Sequence, residues 1–188
     1  KLKGDETIVE LGSGASFQIA LLKQIYPDLT ILSFDLPAQL FLSNIYLSNI
    51  NEKSFLVPIN ETTSWTNLDK VRKGKIHQFG NWQFPILKDF KFNLFWNAAS
   101  FGEMEPRIVK NYLSYIINNV EAIYLLNAKR GKELIGKNSV VNQLTFNHYK
   151  KILAEFELIA NEDAFFAHKK MDMSGGYFQA IWKNMNIH

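Results

Sequence analysis

The 188-residue chain contains no cysteine. That absence excludes disulfides and thiolate metal sites, and it leaves a reducing compartment permitted. Also missing is any apolar run approaching the roughly 20 residues of a membrane-spanning helix, and the first residues, "KLKGDE", have no apolar core of a signal peptide. A cytoplasmic location with no membrane partner is the expectation from these absences. Strong charge bias is lacking too: the formal net charge is +3, and the basic clusters (Lys70 to Lys75, Lys129 to Lys132, Lys150 and Lys151, Lys169 and Lys170) are dispersed among acids. Nucleic acid is therefore not the expected partner. No H-x-x-x-H spacing or clustered carboxylate pattern marks a metal site, so none is assigned. Nothing in the sequence sets the oligomeric state.

What is present is an ordinary globular composition, 47% hydrophobic and 21% charged. A chain of this length buries roughly 70% of the surface its unfolded form exposes, enough for a full core, and the expectation is a single domain over 1–188. The chain opens on Lys1 rather than Met and enters a strand-like run by Thr7, so further sequence is expected upstream.

Strand and helix patterns alternate. "TIVEL" (7–11) reads as a buried strand, followed by a glycine turn and helical spacing through Phe17, Ala20, Leu21 and Ile25 that stops before Pro27. "LTILSF" (29–34) is a second strand ending on Asp35, and 37–49 carries helical spacing through Leu40, Phe41, Ile45 and Leu47, with Pro37 in the first turn. The third strand has two candidates: "SFLVPI" (54–59), which is preferred, and "KIHQFGNWQFPIL" (75–87). On the preferred assignment 60–91 is an irregular insert, expected to serve as a lid or acceptor-binding feature. "FNLFWNAA" (92–99) is a strand, Pro106 opens a long helix through Val109, Tyr112, Leu113, Ile116 and Ile117, and "AIYLLNA" (122–128) is a strand. Thr145 caps a helix carrying Phe146, Tyr149, Ile152, Leu153 and Phe156. "FELIAN" and "YFQAIW" then close the chain as two strands joined through Ser174-Gly175-Gly176 without a helix. The order predicts an α/β fold: a doubly wound, mostly parallel, Rossmann-like sheet of seven strands, the last antiparallel, with helices on both faces.

In such a sheet the ligand lies at the carboxyl ends of the strands, which here means Gly12 to Ser16, Asp35, Ile59 to Asn60, and Asn97 to Ser100. A P-loop needs G-x-x-x-x-G-K-[ST], and no lysine follows Gly14. A dinucleotide loop needs G-x-G-x-x-G, and Phe17 stands where the third glycine belongs. The remaining pattern, an acid and two glycines in Glu10-Leu11-Gly12-Ser13-Gly14, suits a ligand that lacks a pyrophosphate but carries an amino acid and an adenosine, such as S-adenosylmethionine. An ionised carboxylate accepts through two oxygens, so Asp35 can take both hydroxyls of a ribose; the competing role for it is to cap the helix that begins at Pro37. In "FGNW", Asn81 and Trp82 are candidates for the edge and face of an adenine site, with Trp82 as a core residue the alternative.

"VELGSG" resembles the first motif of the class I S-adenosylmethionine-dependent methyltransferases, with Ser16 where many members have a third glycine. "NLFWNAASFGEMEP" (93–106) resembles the segment after the fourth strand in a group of sugar O-methyltransferases. The resemblance implies that Glu10 helps hold the methionine amino group, that Gly12, Ser13 and Gly14 let the backbone pass close to the cofactor, and that Asp35, with Leu36 beside it, takes the ribose. It also adds Asn97, Ala98 and Ser100 to the cofactor set. The implied reaction moves a methyl group from S-adenosylmethionine to a hydroxyl of a sugar or related small molecule. Nucleic-acid amines are disfavoured, because the [DN]-P-P-[FYW] typical of enzymes that methylate bases is replaced by Asn97-Ala98-Ala99-Ser100.

Transfer to a hydroxyl is an in-line displacement that needs one base. The candidates are His148 and Glu103, followed by His168 and His77; for His148 a capping role, and for Glu103 a place facing the helix dipole, are the alternatives. Trp65, Trp82, Trp96, Tyr112 and Tyr149 are candidates to line a sugar cleft. Two other classes remain open: a dinucleotide-dependent oxidoreductase, and a non-catalytic Rossmann-like binding domain.

Overall fold

The computed structural model describes residues 2–50, 55–130, 142–164 and 176–187. The chain divides into two compact units, Lys1–Trp96 and Asn97–His188.

The first unit is built on parallel strands. Its elements are β1 (Thr7–Leu11), α1 (Phe17–Ile25), β2 (Thr30–Asp35), α2 (Pro37–Ile50), β3 (Leu56–Val57), α3 (Ile59–Thr62), β4 (Ile76–Gly80), a 3₁₀ helix (Asn81–Leu87) and β5 (Phe92–Ala98), whose last two residues belong to the second unit. The strand order is β3-β4-β2-β1-β5, with Val9 beside Leu32 and Phe95, and Leu32 beside His77. Every residue of β2 is buried, as expected of a parallel strand covered on both faces. Ile8, Ile31 and Ile76 from adjacent strands pack with Ile19 and Ala20 of α1 and Leu47 of α2. Lys23 of α1 is buried among them because its ammonium donates to the carbonyls of Pro27, Leu29 and Gly74. Burial pushes it down to about 8.

Two expectations for this unit are corrected. Both candidates for the third strand are strands, but the central one beside β2 is β4, from the 75–87 stretch, while the preferred 54–59 stretch supplies only the two-residue edge strand β3. β4 and the 3₁₀ helix lie in the second half of the segment 60–91, while 63–75 has no helix or strand, and the strands among the described residues number eight rather than seven. Phe79 explains why β4 is central: it stacks on Phe34 at 4.9 Å, with Phe84 edge-on at 5.1 Å from the same ring. The second correction concerns the helix faces. Ile19, Ala20 and Lys23 form the buried side of α1; of the four residues that gave the helical pattern only Ala20 is buried, and Phe17, Leu21 and Ile25 are exposed. On α2 the core residues are Leu40, Ser43 and Leu47, and Phe41 and Ile45 face out.

The second unit contains a 3₁₀ turn (Phe101–Glu103), α4 (Pro106–Ser114), β6 (Val120–Ala128), α5 (Phe146–Ile152), β7 (Phe156–Asp163) and β8 (Tyr177–Asn184). β8 runs antiparallel to both β6 and β7 and lies between them, which is the antiparallel ending expected. α4 is shorter than its apolar pattern, ending at Ser114 with Ile116 still buried beyond it, and Phe156 belongs to β7 rather than to α5. Tyr149, Phe178 and Trp182 are buried, with Tyr149 and Phe178 edge to face at 5.5 Å. The Ser174-Gly175 part of the last turn lies outside the described residues.

Candidate functional site

From β1 the chain steps to β2 and β4 on one side and then returns to β5 on the other, so the direction of winding reverses at β1. The crevice outside the carboxyl end of the strand at such a reversal is where open α/β sheets take ligands. Here that position holds the glycine turn. Gly12 (φ 81°) and Gly14 (φ 56°) both have left-handed backbone, and a Cβ built on Gly14 meets nothing within 4 Å. The turn thus presents bare backbone to open space. Ser16 is left-handed as well (φ 64°), a conformation that costs a serine more than a glycine. Its buried hydroxyl lies 2.6 Å from Ser43 Oγ, which in turn accepts from Gln78 Nε2 at 2.7 Å. A buried polar chain from turn to α2 to β4 therefore holds the residue that replaces a glycine.

Two acids meet at the turn. Asp35, the last residue of β2, accepts the Gly14 N–H on Oδ2 and the Leu36 N–H on Oδ1, both at 2.7 Å. Its carboxylate ties the glycine turn to β2 rather than capping α2. Ser13 Oγ and Ser33 Oγ, 2.8 Å apart, make a second tie between the same two segments. Glu10 on β1 is buried, and its carboxylate has no hydrogen-bond partner among the described residues. Burial, reinforced by the nearby charge of Asp35, pushes Glu10 up to about 8, and burial raises Asp35 as well.

β4 ends beside Asp35, which pairs with Gly80. Gly80 matters for what it lacks: the indole of Trp82 lies where a Cβ would stand, and Gln83 Oε1 accepts the Gly80 N–H at 3.1 Å. Trp82 is 56% exposed, which removes the reading of it as core, and Leu36 is equally exposed. The structure thus brings Glu10, Gly12, Ser13, Gly14, Asp35, Leu36, Asn81 and Trp82 to the carboxyl ends of three adjacent strands.

In the second unit, Asn97 is fully buried and donates to Ser100 Oγ at 2.6 Å, while its Oδ1 accepts from Asn127 Nδ2 at 3.1 Å and from the Phe101 N–H at 3.3 Å. Asn127 Oδ1 accepts the Gly102 N–H. These amides fix the turn after β5, in which Ala99 is left-handed (φ 66°) and Ala98 half-buried. Glu103 is exposed at the end of that turn. His148 is exposed too, and its Nδ1 accepts the Thr145 N–H at 3.1 Å, so it caps α5. A neutral ring accepting at Nδ1 carries its proton on Nε2. His77 is buried in β4, where its Nε2 accepts the Arg72 N–H and burial pushes it down to about 4; His168 lies outside the described residues. Among the expected cleft aromatics, Trp65 and Tyr149 are core. Among the described residues no group of three or more His, Cys, Asp or Glu could hold a metal ion.

No family model and no curated protein matches this sequence. Solved structures do. The mitomycin 7-O-methyltransferase MmcR matches with a TM-score of 0.64 at 8% identity, over 98% of this chain and 50% of its own. An O-methyltransferase family protein from Burkholderia thailandensis matches with 0.64 at 10%, over 95% and 51%. The chain shares the fold of these O-methyltransferases. NcsB1, an O-methyltransferase from neocarzinostatin biosynthesis whose structure contains S-adenosyl-L-homocysteine and 1,4-dihydroxy-2-naphthoic acid, matches with 0.62 at 10%, over 96% of this chain and 50% of its own. The chain spans about half the length of these three proteins. Serines 33 and 43, Gln78 and Gly80 are the supporting residues that sequence reasoning missed. The available signal was a polar pair, Ser43 and Asn44, inside the otherwise apolar stretch "LFLSNI", and polar residues within the strand candidate "IHQFG".

Proposed function

We propose that the chain binds S-adenosylmethionine at the glycine turn and transfers its methyl group to a hydroxyl of a small molecule, with a sugar as the acceptor class. The observation that carries this reading is the buried carboxylate of Glu10, without a hydrogen-bond partner among the described residues, beside Asp35 at a turn of open backbone. Two buried acids disfavour each other's charged form, and a cation placed beside them removes that penalty. The ammonium of a methionine moiety is such a cation. A dinucleotide pyrophosphate is an anion, and the same pair of acids would repel it.

The residues divide the work by chemistry. Glu10 takes the amino group, Asp35 offers its remaining lone pairs to the ribose hydroxyls, and the exposed faces of Leu36 and Trp82 cover the adenine with Asn81 at its edge. The cofactor supplies a methyl group already activated on a sulfonium, so the protein needs to position it and to remove one proton from the acceptor. Glu103 is the proposed base: it is the exposed carboxylate on a turn that Asn97 and Asn127 hold rigid, whereas His148 has its lone pair committed to the α5 cap.

Incubation with methyl-labelled S-adenosylmethionine and a panel of hydroxyl compounds, sugars and phenols among them, tests the reading. Label in a sugar ether supports it in full. Label in a phenol alone replaces the acceptor class, and transfer to no hydroxyl by a protein that binds the cofactor leaves a binding domain without the proposed chemistry.

A further inference from the structure

α1 and α2 lie on successive crossovers in the same direction along the sheet, from β1 to β2 and from β2 past β4 to β3, and such crossovers keep one hand, which places both helices on one face, where Ile19, Ala20 and Leu47 share one core cluster. They touch through Phe17 and Tyr46, whose rings meet edge to face at 4.6 Å. Their outward sides are apolar: Phe17, Leu21 and Ile25 on α1 and Phe41, Leu42 and Ile45 on α2 are all exposed, Phe41 to 66%. Six side chains exposed to about half or more present on the order of 600 Å² of apolar surface, at the top of the range for the largest patch on a monomer. That is most of the ~800 Å² that each partner contributes to an interface of standard size.

The same two helices carry no exposed charge. α2 has no charged residue, and the one charged residue of α1, Lys23, is buried on three carbonyls. Surface helices ordinarily carry charge on the side away from the core. We infer that this face is the interface through which two copies of the chain associate, related by a two-fold axis. A two-fold interface sets a patch against itself, residue i against j and j against i, so a patch bearing charge of one sign would oppose like charge, whereas a charge-free patch has nothing to repel. The exposed polar residues of the two helices are carboxamides, Gln18, Gln24 and Asn49, which donate and accept at once. A membrane surface fits less well, because interfacial helices carry Lys or Arg on their polar side and these carry none exposed.

Sedimentation velocity of the 188-residue chain over the micromolar range is the test, with Leu21→Glu and, separately, Ile45→Glu as variants. Both residues are solvent-exposed, and circular dichroism together with unchanged S-adenosylhomocysteine affinity establishes that each variant is folded; if one fails, the other carries the comparison. The expected result is a dimer whose dissociation constant rises at least about tenfold in each folded variant. A monomer throughout the range overturns the inference, as does a dimer insensitive to both substitutions. A monomer that floats with phosphatidylcholine vesicles overturns it in favour of a lipid surface.

Discussion

The Gly14 N–H donates to Asp35 Oδ2 at 2.7 Å, so the acid expected to take a ribose also holds the glycine turn in place. Each carboxylate oxygen accepts more than one hydrogen bond, and the two tasks are compatible. Asp35→Ala removes both, and S-adenosylhomocysteine affinity should fall by about 1.5 to 3 kcal/mol, about ten- to a hundredfold, the scale of hydrogen bonds to a charged group. Calorimetric titration of the variant measures it; an unchanged affinity would reduce Asp35 to a structural tie.

Ser16 and Ser43 should be energetically coupled. Ser43→Ala leaves the buried Ser16 hydroxyl with only its longer 3.3 Å bond to Ser13 Oγ, while in a Ser16→Gly background there is no hydroxyl to weaken and the left-handed turn carries no Cβ strain. The double-mutant cycle from denaturant unfolding should therefore give a coupling of about 0.5 to 2 kcal/mol. Additive effects would mean that the buried contact contributes nothing to holding the turn.

Glu10 makes a pH prediction with a definite sign. Its carboxyl sits at about 8 in the folded protein against 4.5 for an unperturbed group. Between these values the folded state binds more protons than the unfolded one, so stability falls as pH rises through the window and is fully retained below it. Glu10→Gln should flatten the decline in melting temperature between about pH 6.5 and 8; below that range the buried His77, pushed down from 6.5 to about 4, contributes with the opposite sign. A decline of undiminished slope in the variant would show that Glu10 does not titrate in that window.

Gly80 should be intolerant of a side chain for a local reason. The indole of Trp82 occupies the place of its Cβ, so Gly80→Ala must displace the ring. The expected outcome is a shift in tryptophan emission together with weaker S-adenosylhomocysteine binding. In the unaltered protein, binding should shield Trp82 from acrylamide, an effect lost in Trp82→Phe. Shielding that persists in Trp82→Phe would remove Trp82 from the site.

The strand ends that carry the candidate site were legible as strand ends because local chemistry announces them: Glu10 before two glycines, and Asp35 at the end of an apolar run. The α/β order was legible for the same reason, since each strand is a short apolar run with a breaker after it. The faces of α1 and α2 were not, because both helices are apolar nearly all round and periodicity cannot choose between two apolar sides. β4 was ranked second because "IHQFG" mixes polar and apolar residues, yet Gln78 and His77 are buried there on hydrogen bonds that only the folded neighbours supply. His148 illustrates the converse: its spacing from Thr145 was visible, but only the 3.1 Å bond to the Thr145 N–H shows where its lone pair is committed.

The most direct test of a cofactor site built on Glu10 and Asp35 is calorimetric titration with S-adenosylhomocysteine and, separately, NADH at pH 7, in two buffers of different ionisation enthalpy. With Glu10 at about 8 the free site is protonated at pH 7, and an ammonium group bound beside it lowers that value. The predicted result is binding of S-adenosylhomocysteine with release of a proton to the buffer, and no binding of NADH. Binding of NADH alone would contradict it.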